Sequence, residues 1–257
     1  MVVEHAPMEI SEDAVLGGRL VLRQPLRGHR VGHDAILLAA ATAAQAGERA
    51  VDLGAGVGAA GLALARRVEG LAVSLVEIDP ELAELGRVNA ERNGLSSRVR
   101  SVCLDVGAPA AAFAAAGLAP ASAACVLMNP PFNAPQNPSP DRRRRLAHAA
   151  SHGTLQHWLR AALRLLRPQG RITLIWRADG LAEMLDALAG GFGAISLLPV
   201  HPKPDAAAIR VLARAVKGSR APLSLLPGLL LADAGGKPTA QAEAVLRGGA
   251  LLTVTGN

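Results

Sequence analysis

The tetrapeptide Asn129-Pro130-Pro131-Phe132 carries the most specific chemical signal in the sequence. It ends an apolar run, residues 124–129, that is typical of a buried strand. The two prolines fix where the backbone carbonyls point, and the Asn129 side chain offers a hydrogen-bond acceptor. An exocyclic amine could donate one hydrogen bond to Asn129 and one to the Pro130 carbonyl, which would leave its lone pair facing an electrophile. Phe132 could stack on a planar acceptor group, so the pattern indicates chemistry on an amine.

A glycine-rich turn, V-D-L-G-A-G-V-G at 51–58, joins a predicted strand to a predicted helix. Glycines permit a tight turn and let backbone N–H groups approach a ligand at a helix N-terminus. Gly56, Gly58 and Gly61 also fit the G-x-G-x-x-G pattern, so a nicotinamide dinucleotide is an alternative. Asp52 lies inside the turn, where a carboxylate would repel a pyrophosphate but would accept a hydrogen bond from an ammonium group. The turn therefore favours S-adenosylmethionine.

Further acidic side chains end the next two predicted strands. Glu77 follows the turn by about 20 residues, the spacing at which an acid takes ribose hydroxyls in either type of cofactor site. Asp105 ends the third strand, where its carboxylate could meet an adenine amino group. Asp79 precedes Pro80 and is predicted to cap a helix rather than to bind a ligand.

Short apolar runs alternate with helical patterns along the chain, and these elements must position the side chains above. Strands are predicted at 48–54, 72–79, 98–105, 124–129 and 171–176, and helices at 58–70, 80–95, 109–118, 151–170 and near 180–190. Two further strands, 195–201 and 209–216, are close enough to pair antiparallel at one edge. This order predicts an α/β fold with a doubly wound, mostly parallel seven-stranded sheet and an antiparallel edge strand. Ligands of such sheets bind outside the carboxyl ends of the strands.

The same pattern predicts three regions. Residues 1–47 form an N-terminal extension with a hairpin and a helix that starts near Asp34. Residues 48–217 form the main domain, and residues 218–257 form a C-terminal extension that packs on it.

The charge balance is basic, with 27 Lys and Arg residues against 21 Asp and Glu residues and a net charge of +6. Four consecutive arginines, Arg142, Arg143, Arg144 and Arg145, follow the tetrapeptide in a proline-rich loop. A GC-rich genome or an ordinary solvated surface would also account for them. A clamp on RNA phosphates suits guanidinium groups, and it would position the RNA without selecting the base.

Several classes of protein are excluded. Cys103 and Cys125 are too few for a disulfide framework or a four-ligand zinc site, and both are predicted to be small core residues. The histidines lack metal-site spacing, so no metal is predicted. We see no signal peptide and no apolar run that is long enough to span a bilayer. We therefore expect a cytoplasmic enzyme without a membrane segment, whose oligomeric state the sequence leaves open.

The chain resembles class I S-adenosylmethionine-dependent methyltransferases of the N-P-P-[YF] amino-methylating group with a methyltransferase small domain. More narrowly, it resembles the bacterial tRNA(Val) adenine-N6-methyltransferase family. The stretches 20–39, 51–58 and 129–132, with the basic loop that follows, carry a resemblance over about residues 10–215. It implies methylation of N6 of adenine 37 in tRNA(Val), with S-adenosylhomocysteine as the second product. N-P-P-F also occurs in rRNA guanine-N2 methyltransferases, and the same tetrapeptide class methylates a glutamine amide in release factors, so both activities are alternatives.

The resemblance also implies which residues bind the cofactor. The N-terminal extension would lie over the cofactor site, with Asp34 and the backbone of Val31 and Gly32 near the methionine end. From the residues alone, Asp34 fits a helix cap equally well. The full set of predicted cofactor contacts is Val31, Gly32, Asp34, Asp52, Gly54, Ala55, Gly56, Gly58, Glu77, Ile78, Asp105, Val106 and Asn129. Phe132 stands where the family commonly has Tyr, a change that preserves stacking.

Overall fold

The computed structural model describes residues 8–27, 30–131 and 154–254. Its strands are β1 (Ile10–Val15), β2 (Leu20–Pro25), β3 (Arg49–Leu53), β4 (Ala72–Glu77), β5 (Val99–Cys103), β6 (Ala123–Met128), β7 (Leu166–Arg177), β8 (Phe192–His201), β9 (Arg210–Lys217), β10 (Ser224–Leu225) and β11 (Leu229–Leu230). Its α-helices are α1 (His33–Ala41), α2 (Ala59–Arg67), α3 (Pro80–Arg92), α4 (Ala110–Ala115), α5 (Thr154–Leu165), α6 (Leu181–Ala189) and α7 (Ala240–Leu246).

The main sheet has the strand order β10-β8-β9-β7-β6-β3-β4-β5, and β11 also pairs with β8. This arrangement confirms the α/β, doubly wound, mostly parallel fold. The sheet has nine strands rather than seven, because the two-residue strands β10 and β11 extend β8. The antiparallel strand β9 lies between β7 and β8 rather than at the edge, and this position satisfies its backbone hydrogen bonds on both sides.

Helices cover both faces of the sheet. Buried side chains of α1 and α2, such as Leu37 and Leu62, join Leu75 of β4 in one apolar cluster. Phe113 of α4 and Leu159 of α5 belong to a second cluster. Both clusters continue through the central strands, so the sheet is the rigid frame that fixes the position of every strand end.

The prediction of a helix over 151–170 is wrong at its C-terminal end. Helix α5 ends at Leu165, and β7 begins at Leu166. Pro168 lacks the N–H group that a continuing helix needs and disfavours helical dihedral angles in the residue before it. Gln169 has a φ of +59°, which also breaks the helical backbone. The helix therefore ends three residues before Pro168.

The two cysteines differ in environment. Cys125 of β6 is fully buried, and burial raises the pKa of its thiol to about 12, so it is an inert core residue as predicted. Cys103 is exposed, and the prediction that it lies in the core is wrong. It is the last residue of β5, which forms the edge of the sheet, so no neighbouring strand covers it on that side.

Both chain extensions contact the main sheet or its helices. β1 and β2 form an antiparallel hairpin that is separate from the main sheet. At the other end of the chain, α7 packs on α1, and the Leu252 amide donates to the Ala40 carbonyl at 2.9 Å. The described residues include no helix that is long and apolar enough to cross a membrane.

Candidate functional site

The carboxyl ends of four parallel strands place the predicted site residues along one edge of the sheet. In the register between β3 and β6, Leu53 pairs with Met128. The residues that follow, Gly54 and Asn129, are therefore neighbours across two adjacent strands. Glu77 ends β4, on the other side of β3. The structure thus brings the glycine-rich turn, the β4 acid and the start of the tetrapeptide together, as the sequence predicts.

The glycine-rich turn has backbone angles that favour glycine. Gly54 and Gly56 have φ values of +67° and +56°, in the left-handed region. The Ala55 amide donates to the Val76 carbonyl at 2.9 Å, which ties the turn to β4. Gly58 then begins α2 as its N-cap residue. The turn is consequently a fixed loop at the N-terminus of a helix, the position at which anionic or polar ligand groups bind backbone amides.

Asp52 lies beneath the turn with only 2% of its surface exposed. Its Oδ2 accepts a hydrogen bond of 2.8 Å from the Gly61 amide in α2. Burial raises the pKa of Asp52 to about 7, and the nearby Glu77 charge adds to the rise. A cation that bound beside this carboxyl would favour loss of its proton. The chemistry thus fits the predicted contact with an ammonium group, which stays a prediction.

Glu77 holds the turn from the opposite side. Its Oε2 accepts a hydrogen bond from the Gly56 amide at 2.8 Å, and its Oε1 accepts one from the Asp79 amide at 3.0 Å. Burial raises the pKa of the Glu77 carboxyl, while these two amides act in the opposite direction. Each carboxylate oxygen has further lone-pair capacity, so the predicted contacts with ribose hydroxyls remain chemically open.

An exposed apolar side chain lies next to these acids. Ile78 is 46% exposed directly after β4, whereas Val106 after β5 is buried. Asp105 is exposed, and its Oδ1 accepts a hydrogen bond from the Gly107 amide at 2.7 Å. Asp79 caps α3 by accepting hydrogen bonds from two amides of its first turn, which confirms its predicted role. The open Ile78 face beside a carboxylate suits a planar heterocycle with an exocyclic amine.

Asn129 has a buried acceptor that lacks a partner. Its Oδ1 is out of contact with solvent and has no hydrogen-bond partner among the described residues. Leaving such an atom unpaired costs about 1–3 kcal/mol in a typical protein interior. Pro130 beside it is buried, and Pro131 is partly buried. The atom that the sequence analysis singled out is therefore ready to accept a hydrogen bond from a ligand.

The segment before α1 is tied to the hairpin and to the sheet. The Val31 amide donates to Oε1 of the buried Gln24 at 2.8 Å, so this N–H is already used within the protein. Gly32 is the N-cap of α1, and the suggestion that Asp34 provides the cap is wrong. The Asp34 carboxylate instead pairs with Arg210 of β9 at 2.9 Å. The predicted contacts of this segment with the cofactor stay predictions.

Two residues at the site escaped the sequence analysis. Asn89 of α3 is fully buried and donates to the Val57 carbonyl in the turn and to the Arg23 carbonyl in β2, each at 3.0 Å. Trp158 of α5 lies against Gly54, where a Cβ atom would come within 2.2 Å of its ring. A polar residue on the buried face of a predicted helix was the available signal for Asn89. Nothing in the sequence pairs Trp158 with Gly54.

Some predicted residues fall outside the described part of the chain. These are Phe132 and the four arginines of the basic loop, Arg142, Arg143, Arg144 and Arg145. In the described part, no three His, Cys, Asp or Glu side chains come close enough to hold a metal ion.

The chain is similar to several known methyltransferases. A model of the methyltransferase small domain matches residues 29–203. The tRNA1(Val) (adenine(37)-N6)-methyltransferase of Porphyromonas gingivalis is 31% identical over 159 residues, which cover 60% of this chain and 61% of that protein. The chain thus spans about three fifths of the length of that curated relative.

Two other relatives carry different names. A release factor glutamine methyltransferase of Chlorobaculum tepidum is 31% identical over 60% of this chain and 54% of its own length. The crystal structure of a predicted O-methyltransferase from Agrobacterium tumefaciens is 32% identical, with a TM-score of 0.72 and coverage of 85% of this chain and 98% of that one. All three named relatives are methyltransferases, but their names indicate different acceptor groups.

Proposed function

The chain belongs to the methyltransferase small domain family, and we propose that it methylates an exocyclic base amine in RNA. The cofactor of this family and fold is S-adenosylmethionine, which supplies an electrophilic methyl group when it is bound. The buried, unpartnered Oδ1 of Asn129 at the edge of the glycine-rich turn carries the proposal. This acceptor fits a donor N–H group, which a base amine supplies.

The residues at the strand ends suit the cofactor. Asp52 would face its ammonium group, and Glu77 would accept hydrogen bonds from its ribose hydroxyls. Ile78 offers an exposed apolar surface for the adenine ring, and Asp105 lies after the neighbouring strand to accept from the adenine amine. Each assignment pairs a group of the cofactor with a side chain of complementary chemistry.

Asn129 would orient the acceptor amine. Its Oδ1 accepts one N–H of the amine, and the Pro130 carbonyl accepts the other, so the lone pair points away from both. A neutral amine needs no strong base before attack, because the methylated nitrogen loses its proton afterwards. Phe132 would stack on the base. A hydroxyl acceptor has only one hydrogen to donate, so this pair of acceptors favours nitrogen over oxygen.

The finer assignment is N6 of adenine 37 in tRNA(Val). The name of the Porphyromonas gingivalis relative supports it, together with the net charge of +6 and the four-arginine run of this chain. The proposal places the enzyme in the cytoplasm with tRNA as its partner. Position and base are the parts of the proposal that an assay of substrates must decide.

Replacement of Asn129 tests the proposed chemistry. We expect Asn129→Ala to bind S-adenosylmethionine as the wild type does, in calorimetry, but to lose methyl transfer by on the order of 10²-fold or more. The assay is transfer of labelled methyl to unmodified tRNA(Val), with a transcript that carries guanine at position 37 as the matched control. Retained turnover in the variant would remove the proposed role of Asn129, and equal labelling of both transcripts would remove adenine 37.

The arginine run is the second element to test. Replacement of Arg142, Arg143, Arg144 and Arg145 by glutamine should weaken tRNA binding and lower the salt dependence of its affinity. The slope of log affinity against log salt should fall by about one for each phosphate contact that is lost. Binding measured between 50 and 200 mM salt, a range of about fourfold, decides the point. An unchanged slope would exclude the run from the RNA interface.

A glutamine side-chain amide is the second candidate acceptor. The name of the Chlorobaculum tepidum relative favours it, and an amide NH2 also has two hydrogens for the same two acceptors. A release factor assayed beside the tRNA distinguishes the two. Methylation of the protein alone would replace the RNA proposal.

A further inference from the structure

A second basic site lies away from the strand ends. A cavity of about 260 Å³ opens where α1, α2, the hairpin turn and α7 meet. Its apolar wall includes Leu16, Ile36, Ala63 and Val245. Helix α2 spans nine residues, so its last residue lies about 12 Å along the helix from the glycine-rich turn. Its described lining includes no residue of the glycine-rich turn or of the ends of β4, β5 and β6, so the cavity is separate from the site described above.

Three guanidinium groups line this cavity, those of Arg19, Arg66 and Arg67, and the described residues of its lining include no Asp or Glu. Within the described ranges, none of the three forms an ion pair with a carboxylate. Ten ion pairs elsewhere in the described part of the chain join an arginine to an acid. Among the residues that the structure describes, the three arginines of the cavity therefore have carbonyl partners but no carboxylate partner.

Arg67 is the least exposed of the three arginines. Arg67 donates to the carbonyls of Ala39 and Thr42 at the end of α1, but its Nε is buried and has no partner among the described residues. Burial lowers the pKa of the Arg67 guanidinium. A desolvated cation without a counter-charge is unfavourable, and a bound anion would offset that penalty.

The two exposed arginines, Arg19 and Arg66, have further N–H donors that can bind a ligand. Arg19 and Arg66 are both exposed, and they donate hydrogen bonds to the backbone carbonyls of Gly248 and Asn93, respectively. A guanidinium group has five N–H donors, so most of these remain for a ligand. Gly249 leaves space beside Arg19, since a Cβ there would lie 3.3 Å from Arg19 Nη1.

We propose that this cavity binds a phosphate group. Three guanidinium forks exceed what a single carboxylate can use, whereas a phosphate offers more charge and more acceptor oxygens. The apolar wall would contact the part of the ligand next to the phosphate. The phosphate belongs either to the backbone of an RNA or to a small phosphate ester, and the binding experiment separates these sources.

The test compares two charge-matched double variants of the full chain. Arg19→Gln with Arg66→Gln removes the two exposed cations of the cavity. Arg49→Gln with Arg220→Gln removes two exposed arginines that do not line it. Inorganic phosphate is titrated by calorimetry with S-adenosylhomocysteine at saturation, so that the strand-end site is occupied. Chloride at the same ionic strength supplies the reference, and single-stranded RNA is titrated in parallel.

We expect phosphate affinity to fall at least tenfold in the cavity variant and to stay unchanged in the control. A parallel loss of RNA affinity assigns the phosphate to an RNA backbone, and a loss confined to inorganic phosphate assigns it to a small ester. Equal losses of phosphate affinity in both double variants would overturn the proposal. So would wild-type protein that binds neither inorganic phosphate nor RNA more tightly than the cavity variant does. Arg66→Gln alone serves if the double variant fails to fold. Because these readouts need no methyl transfer, they stand or fall independently of the proposed activity.

Discussion

Protonation of Asp52 should control the affinity of the enzyme for its methyl donor. The carboxyl is buried, its pKa is raised to about 7, and it is proposed to face the ammonium group of S-adenosylmethionine. A cation stabilises the ionised carboxylate, so the donor should bind that form and release the proton. In the free protein with this pKa, about one tenth of the carboxyl is ionised at pH 6 and about nine tenths at pH 8. The contribution of Asp52 to the affinity should therefore rise about tenfold over this range, which is about 1.4 kcal/mol.

Isothermal calorimetry of the wild type and Asp52→Asn measures the effect. The amide can still accept the hydrogen bond from Gly61, but it has no proton to release. The α-amino group of the donor titrates at about 7.7–8.0, but it does so with both proteins, so their affinity ratio isolates Asp52. In buffers of different ionisation enthalpy, donor binding should release close to one proton from Asp52 of the wild type at pH 6 and about one tenth of a proton at pH 8. A ratio that is constant from pH 6 to pH 8 would refute the reasoning.

The same pKa determines how Asp52 affects folding. A raised folded-state pKa means that the carboxyl contributes most favourably below its unfolded value of 3.8, and that this contribution is lost as the pH rises through about 7. Without donor, Asp52→Asn should therefore gain stability relative to the wild type between pH 4 and pH 7. Thermal unfolding at both ends of this range is the check.

Two further substitutions test the packing around the turn. Gly54→Ala places a Cβ within 2.2 Å of the Trp158 ring at a φ of +67°, so we expect a loss of about 1–3 kcal/mol of stability and weaker donor binding. Adding Trp158→Ala should restore both in part. A Gly54→Ala variant with unchanged stability and donor binding would exclude the close contact. Asn89→Ala removes a fully buried amide that binds the backbone of Val57 and Arg23. We expect chemical denaturation to show a free energy of unfolding that is lower by about 2–4 kcal/mol. A decrease below about 0.5 kcal/mol would contradict the bridging role of Asn89.

Local chemistry was predictable from the sequence. Asp79 before Pro80 predicts a capped helix, because both residue types satisfy the first turn whatever surrounds it. The glycines at 54 and 56 likewise predict a turn with positive φ, which the structure contains. Such features depend on a few neighbouring residues, so no knowledge of the rest of the fold is needed.

Contacts between distant elements were not predictable in this way. The sequence places Asp34 in a position to cap α1, but its partner Arg210 comes from a strand 176 residues away. β9 pairs with both β7 and β8, and neither β8 nor β9 has a sequence pattern that specifies which one pairs with β7. Cys103 has the apolar neighbours of a core residue, and only its place on an edge strand exposes it.

The position of β9 between β7 and β8 has a consequence for synthesis on the ribosome. β8 leaves the ribosome before its partner β9, and it cannot pair with β7 directly in the finished sheet. Until residues 210–217 emerge, β7 has an open edge and β8 has no neighbour. Open edges of this kind are sites of association between chains. A nascent chain halted between β8 and β9 should therefore aggregate more readily than one released a few residues after β9.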